Sequence, residues 1–241
     1  MYLRKKDIMK ILSVSFFFLL LINCIAYGQN ISVGPYLQDA EPSSITVMWE
    51  TSSGEESTVE WGTTTSLGNS SSGIFITGSG FSRIHTTVIS GLDANTKYYY
   101  RVITNSVQSN IFDFVTPPLP TSEASFNIVS MSDMQQDWQH TNVFDDMIND
   151  EVIPFVNNRY GNDLATDLAY VFIPGDLVAT GSNYGSWEST FFDPAQNLFQ
   201  HVPVYPVAGN HEQNSANYFK YFSLPTNGTN QNDYLEHWYY K

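Results

Sequence analysis

Residues 202–212 read VPVYPVAGNHE. The apolar run through Val204, Tyr205, Val207 and Ala208 stops at Gly209 and delivers Asn210, His211 and Glu212 in a row. A short apolar run of this kind fits a strand buried on both faces, as in a parallel sheet. Two other stretches have the same form. FNIVSMSD (126–133) runs out at Asp133, and LAYVFIPGD (168–176) runs out at Asp176. The gaps from 133 to 176 and from 176 to 210 are 43 and 34 residues, each long enough for a crossover helix. TNVFDDMINDEVIPFVNNRYG (141–161) carries apolar residues at helical spacing, disturbed at Pro154. SWESTFFDPAQNLFQH (186–201) does so around an interrupting Pro194. Strand, helix, strand, helix, strand predicts βαβ units on a parallel sheet. Ligand sites in such sheets lie beyond the carboxyl ends of the strands, so Asp133, Asp176 and Asn210-His211 are expected to converge on one spot.

Upstream the pattern is different. SITVMWE (44–50) alternates Ile45, Val47 and Trp49 on one face with Thr46 and Met48 on the other. STVEWG (57–62), TKYYYRVIT (96–104) and IFDFVT (111–116) are further short strands, separated by Ser-, Gly- and Thr-rich turns. So many short strands in about 90 residues predict an antiparallel β-sandwich over 29–118. The alternating Trp49, Trp61, Tyr98 and Tyr100 are read as its core, and His85 as a structural histidine. TPPLPTSE (116–123) is a proline-rich joint. The α/β part then occupies 119–241.

Residues 1–28 have the form of a secretory signal: Arg4, Lys5, Lys6 and Lys10, an apolar run from Ile11 to Ile22, and the small-x-small site Ala26-Tyr27-Gly28. The apolar run is short for a membrane span, so no stable membrane anchor is expected and the mature protein is placed outside the cytoplasm, secreted, periplasmic or at the cell surface. Cys24, the only cysteine, lies in that leader, which excludes disulfides and thiolate chemistry from the mature chain. Of 10 basic and 24 acidic residues, four basic and one acidic lie in the leader, so the remainder carries six and 23, a net charge of −17. Such a surface repels a polyanionic duplex and excludes nucleic acid as a partner class. A small phosphorylated substrate remains compatible, because a bound cation reverses the sign locally.

SDMQ (132–135), GDLVATG (175–181) and GNHE (209–212) resemble the first three blocks of the calcineurin-like metallophosphoesterases. SGLDANTKYYYRV (90–102) resembles the end of a fibronectin type III domain. A sandwich in front of such a phosphoesterase is similar to the purple acid phosphatase architecture. The resemblance implies a fibronectin type III-like sandwich followed by an α/β metallophosphoesterase domain. It also implies two-metal hydrolysis of phosphate esters, acid phosphatase-like monoesters first and diesters as the alternative. Asp133 would bind the first metal, Asp176 would bridge both, and Asn210 would bind the second. His211 would lie beside the phosphate as the catalytic group, and Glu212 would orient a neighbour without touching metal. The cofactors implied are two divalent or trivalent ions of the Fe, Zn or Mn type.

The chain departs from the family in three places. Purple acid phosphatases carry Tyr three residues after the bridging Asp, where this sequence has Ala179, so no tyrosinate-to-iron colour is expected. Other members place His two residues after the first Asp, where this sequence has Gln135, whose carbonyl is a weaker ligand for a hard cation. The later family blocks that supply His ligands do not occur before Lys241, so the domain is expected to be incomplete at its C-terminus, and the fragment alone inactive. His140, His201 and His237 are read as surface or satisfied histidines. The competing class is a non-catalytic extracytoplasmic binding protein with a decayed phosphoesterase half. Gln135 and Ala179 favour it, and the intact GD and GNHE blocks oppose it.

Overall fold

The computed structural model describes residues 29–228 together with Glu236, Tyr239 and Tyr240. The leader 1–28 and His237 lie outside the described residues.

Nine strands build the first half: β1 (Ile31–Glu41), β2 (Ser44–Thr51), β3 (Thr58–Gly62), β4 (Asn69–Ser72), β5 (Ile74–Thr77), β6 (Arg83–Ser90), β7 (Lys97–Thr104), β8 (Val107–Gln108) and β9 (Phe112–Val115). They form two antiparallel sheets, β1-β2-β6-β5 and β4-β3-β7-β8, with β9 also on β7. Ile45, Val47 and Trp49 of β2 meet Val59, Tyr98, Tyr100, Val102 and Phe114 between the sheets. His85 of β6 is fully buried there, stacked on Trp49 at 4.8 Å between ring centroids, with Thr51 Oγ1 and Ser57 Oγ each 2.8 Å from a ring nitrogen. Burial, and then the nearby Arg83, push its pKa down from 6.5 to about 4. The folded protein therefore binds this proton more weakly than the unfolded chain does. The contribution to stability is complete above pH 6.5 and is lost as pH falls toward about 4, amounting to roughly 3 kcal/mol. Urea unfolding of wild type and His85→Gln at pH 7 and pH 4.5 checks this, and the variant should lose the part of the pH dependence that lies between 4 and 6.5.

The second half follows with β10 (Ile128–Ser130), β11 (Tyr170–Ile173) and β12 (Val204–Pro206), parallel and in that order. Between them run helix α1 (residues 143–159), a short α2 (Leu164–Asp167) and α3 (residues 184–199); α4 (Ala216–Tyr221) follows β12. The prolines do not end α1 and α3. In each, a π-helical segment, Asp146–Val152 or Trp187–Phe192, leads into an α-helical run whose first turn holds Pro154 or Pro194. A proline ring clashes with the carbonyl four residues back and offers no N–H, and the wider preceding turn makes room for it. The helix bends its hydrogen-bond pattern and continues.

The two halves share a core. On the alternation read from sequence, Thr46 and Met48 occupy the second face of β2, and this face is buried as well as the first. Met48, with Val33, Tyr36 and Ile84, packs into the α/β core beside Phe192, Tyr221 and Phe222. Tyr36 and Phe192 lie 4.6 Å apart between ring centroids. Hydrogen bonds cross the same seam: Tyr36 Oη donates to the Tyr221 carbonyl (2.6 Å), the Ala40 N–H donates to Tyr205 Oη (2.8 Å), and Tyr100 Oη donates to the Gln200 carbonyl (2.8 Å). Lys97 bridges Asp113 and Asp163 at 2.8 and 2.7 Å. A proline-rich joint connects the halves, yet packing, not the joint, fixes how they sit.

Candidate metal centre

The strand register brings the three polar clusters to one end of the sheet. Ser130 pairs with Phe172 and Phe172 with Tyr205, so Asp133, Asp176 and Asn210 follow their strands by three, three and four residues. The ladder extends into the loops: the Met131 N–H donates to the Phe172 carbonyl (3.2 Å), Asp133 N–H to the Gly175 carbonyl (3.5 Å) and Val207 N–H to the Ile173 carbonyl (2.8 Å). Asp133 and Asp176 share a left-handed backbone, φ 57° and 56°. Left-handed backbone at a non-glycine residue is uncommon and is held here by the surrounding hydrogen bonds.

The second and third loops are locked into each other. Glu212 is fully buried, and its carboxyl group collects four backbone N–H groups. Oε2 accepts from Asp176 (2.9 Å) and Gly209 (2.6 Å), and Oε1 accepts from Leu177 (2.8 Å) and Val178 (3.3 Å). The His211 N–H returns the link by donating to Asp176 Oδ1 at 3.0 Å. Gly209 has no alternative in this arrangement: a Cβ there would sit 2.2 Å from Asp176 Oδ1 and 2.4 Å from the Asp176 nitrogen. The glycine thus lets the two loops approach each other, which is a different task from letting backbone approach a ligand. Gly181 serves the same contact, donating its N–H to the His211 carbonyl (2.9 Å) with no room for a side chain against Glu212.

His211 is oriented by an acceptor that no side chain supplies. Its Nδ1 lies 2.9 Å from the Ala179 carbonyl, which can only accept, so Nδ1 carries the hydrogen and Nε2 is left for the site. Sequence reading registered Ala179 as a missing tyrosine. Its working group is the main-chain carbonyl, which residue identity does not reveal.

The donor set fits cations held by oxygen. Among the described residues, Asp176 Oδ2 and the Asn210 amide accept no hydrogen bond, and Asp133 Oδ2 has only the Ser132 hydroxyl at 2.5 Å. Gln135 is anchored next to the fully buried Met134, and its Oε1 is itself buried with no hydrogen-bond partner among the described residues. A buried carbonyl oxygen without a donor costs about 1–3 kcal/mol, a penalty that a hard cation would remove. Carboxylate and amide oxygens suit Mg, Mn or Fe-type ions. No cluster of three or more His, Cys, Asp or Glu side chains poised for a metal occurs among the described residues. His140 and His201 are elsewhere. The first pairs with Asp137 on an exposed loop (3.1 Å), and the second is bonded to Asp113 at the seam between the halves.

Comparison with known proteins agrees with the two-part fold. Residues 32–116 match the family described as "Purple acid Phosphatase, N-terminal domain", and residues 126–241 match "Calcineurin-like phosphoesterase". Among solved structures, that of PhoD is similar over 75% of this chain and 39% of its own, with 13% identity and a TM-score of 0.53, a likeness of fold. The sensor domain of the anti-sigma factor RsgI4 from Pseudobacteroides cellulosolvens covers 42% of this chain and 100% of its own, at 17% identity and a TM-score of 0.33. No curated protein matches. The chain thus carries a purple acid phosphatase-type N-terminal domain followed by a calcineurin-like phosphoesterase domain. It spans 39% of the PhoD chain.

Proposed function

We propose that this protein is an exported, metal-dependent phosphohydrolase acting on small phosphate esters, monoesters first. The observation that supports it most is the convergence of Asp133, Asp176, Asn210 and His211 at one end of the parallel sheet, with the Asp176 and Asn210 loops tied together through Glu212. Asp133 and Gln135 would hold one cation, Asn210 another, and Asp176 both. Ions so held supply charge neutralisation for the phosphoryl group and a water of lowered pKa. Export rests on the leader-like residues 1–28. Among the described residues no helix is long and apolar enough to cross a membrane.

The chain's own part is positioning and proton movement. The Ala179 carbonyl fixes the His211 ring with Nε2 free, so a proton carried there is available to a leaving alkoxide. Glu212 and the Gly209 contact hold the backbone that aims it. In the full-length protein, hydrolysis of 4-nitrophenyl phosphate should require added Mn²⁺, Zn²⁺ or iron and stop on chelation. His211→Ala should keep its metals and lose about 10²–10⁴-fold in kcat on alkyl phosphates, with a smaller loss on the nitrophenyl ester, whose leaving group needs no proton. A wild-type protein that binds no metal and cleaves neither substrate would overturn the reading. Equal losses on both substrates would limit His211 to phosphate binding.

A further inference from the structure

One carboxyl group of the sandwich reaches the elements that carry the candidate centre. Glu50, next to last in β2, is 2% exposed. It shares its face with Thr46 and Met48, the face turned to the α/β half. Oε1 accepts from Tyr184 Oη at 2.6 Å and Oε2 from Tyr221 Oη at 2.8 Å. Tyr184 opens α3, directly after the loop that bears Asp176. Tyr221 closes α4, the helix that follows the Asn210-His211 loop. The two rings are 5.6 Å apart between centroids. The carboxyl group therefore spans the two loops' supports.

The supports are tied to the loops themselves. The Gly181 carbonyl, three residues before Tyr184, accepts from Ser215 Oγ (3.0 Å), Asn217 Nδ2 (3.0 Å) and Trp187 Nε1 (2.9 Å). Its N–H goes to the His211 carbonyl. Gly181 thereby couples a shift of α3 against α4 to His211 and, through the His211 N–H, to Asp176. The sandwich holds α4 at two further points, through Tyr36 Oη on the Tyr221 carbonyl and Lys220 Nζ on the Gly78 carbonyl (3.3 Å), and α3 at one, through Gln196 Nε2 on the Pro35 carbonyl (3.2 Å).

Apolar packing would fill this place more cheaply than a carboxyl group. Burying an acid needs full hydrogen bonding to break even, and among the described residues Glu50 forms no ion pair. What a leucine could not do is set two hydroxyls at a fixed separation. The tyrosines are suited to the task. Burial, then the hydrogen bond to Glu50, push Tyr184 up to about 12, and burial with Glu50 raises Tyr221 further, so both remain donors.

We propose that Glu50 is a positioning residue, through which the sandwich domain fixes the spacing between the Asp176 loop and the Asn210-His211 loop. This rests on the metal-dependent reading above. The N-terminal domain is then part of the catalytic support and not a spacer.

The test uses the full-length protein and the variants Glu50→Leu, Glu50→Gln and Tyr184→Phe. Glu50→Leu is expected to weaken Mn²⁺ binding and lower kcat by about 10–100-fold each, with KM little changed. Glu50→Gln, which retains one acceptor oxygen, should recover about tenfold of that. In metal-free protein, amide exchange at Gly181 and His211 should quicken in Glu50→Leu. A variant with a lower melting temperature but unchanged metal affinity, kcat and exchange at those two amides would reduce Glu50 to packing and overturn the proposal. If Glu50→Leu does not fold, Tyr184→Phe, which removes one oxygen, carries the same comparison with a loss of about 3–10-fold in kcat. Failure of the phosphoesterase reading is separate, because a wild type with neither metal nor activity leaves the metal-free exchange measurement to decide for or against Glu50.

Discussion

On the two-metal function proposed above, Asp176→Asn should leave a folded protein that holds neither metal ion and hydrolyses nothing above background. Asp176 lies just beyond the end of β11 in a left-handed backbone, and its Oδ1 accepts the His211 N–H at 3.0 Å. An asparagine keeps the shape, tolerates that backbone and still offers one carbonyl oxygen for the His211 bond. The melting temperature should therefore change little. What disappears is the negative charge and the second ligand oxygen, Oδ2, which accepts no hydrogen bond among the described residues. An amide bound through its oxygen is neutral, and its nitrogen has no lone pair to give a second cation. Two ions held about 4 Å apart repel each other and need an anionic group between them. Loss of the bridge should thus empty both positions together, and kcat should fall by about three orders of magnitude or more. Elemental analysis of wild type and variant checks this. Two metals per chain in Asp176→Asn would reject the bridging role, and one would place Asp176 at a single ion.

The parts of this centre that sequence reading reaches are those governed by strand periodicity. A strand has a period of two, so Ile45, Val47 and Trp49 had to share a face, and they do. A parallel sheet places its strand ends side by side, so Asp133, Asp176 and Asn210 could be grouped without coordinates. Periodicity says which residues share a face and not what covers it. Thr46 and Met48 look from sequence like the second face of a sandwich strand, while in the structure Met48 and, next on that face, Glu50 are buried against the α/β half. Pro154 and Pro194 mark disturbances in helical text, but whether a helix stops or widens depends on packing around it, here Phe191, Phe192 and Phe199 in the shared core. Main-chain roles are the least visible. The Ala179 carbonyl and the contact between Gly209 and Asp176 depend on where two distant loops meet.

Glu212 shows that limit most clearly, and its substitution should have the largest effect on stability. The family resemblance implied only that Glu212 orients a neighbour without touching metal. In the structure it is fully buried and serves four main-chain donors from both loops, at 2.6–3.3 Å. Alanine at this position removes every acceptor at once and leaves four N–H groups without their partner in a buried place. An unsatisfied buried donor costs about 1–3 kcal/mol, and partial relaxation or one entering water offsets some of that. The expected destabilisation of Glu212→Ala is roughly 3–5 kcal/mol, a large share of the stability of an ordinary domain. Glu212→Gln should fall between, since one amide oxygen still accepts while its NH₂ faces two donors and repels them. Urea unfolding measures the difference, and amide exchange locates it: Asp176, Leu177 and Gly209 should exchange fastest relative to wild type, while Val47 and Trp49 in the sandwich core stay protected. A loss below about 1 kcal/mol, or exchange that rises evenly over both halves, would mean that the loops are held by packing and that the four hydrogen bonds are incidental.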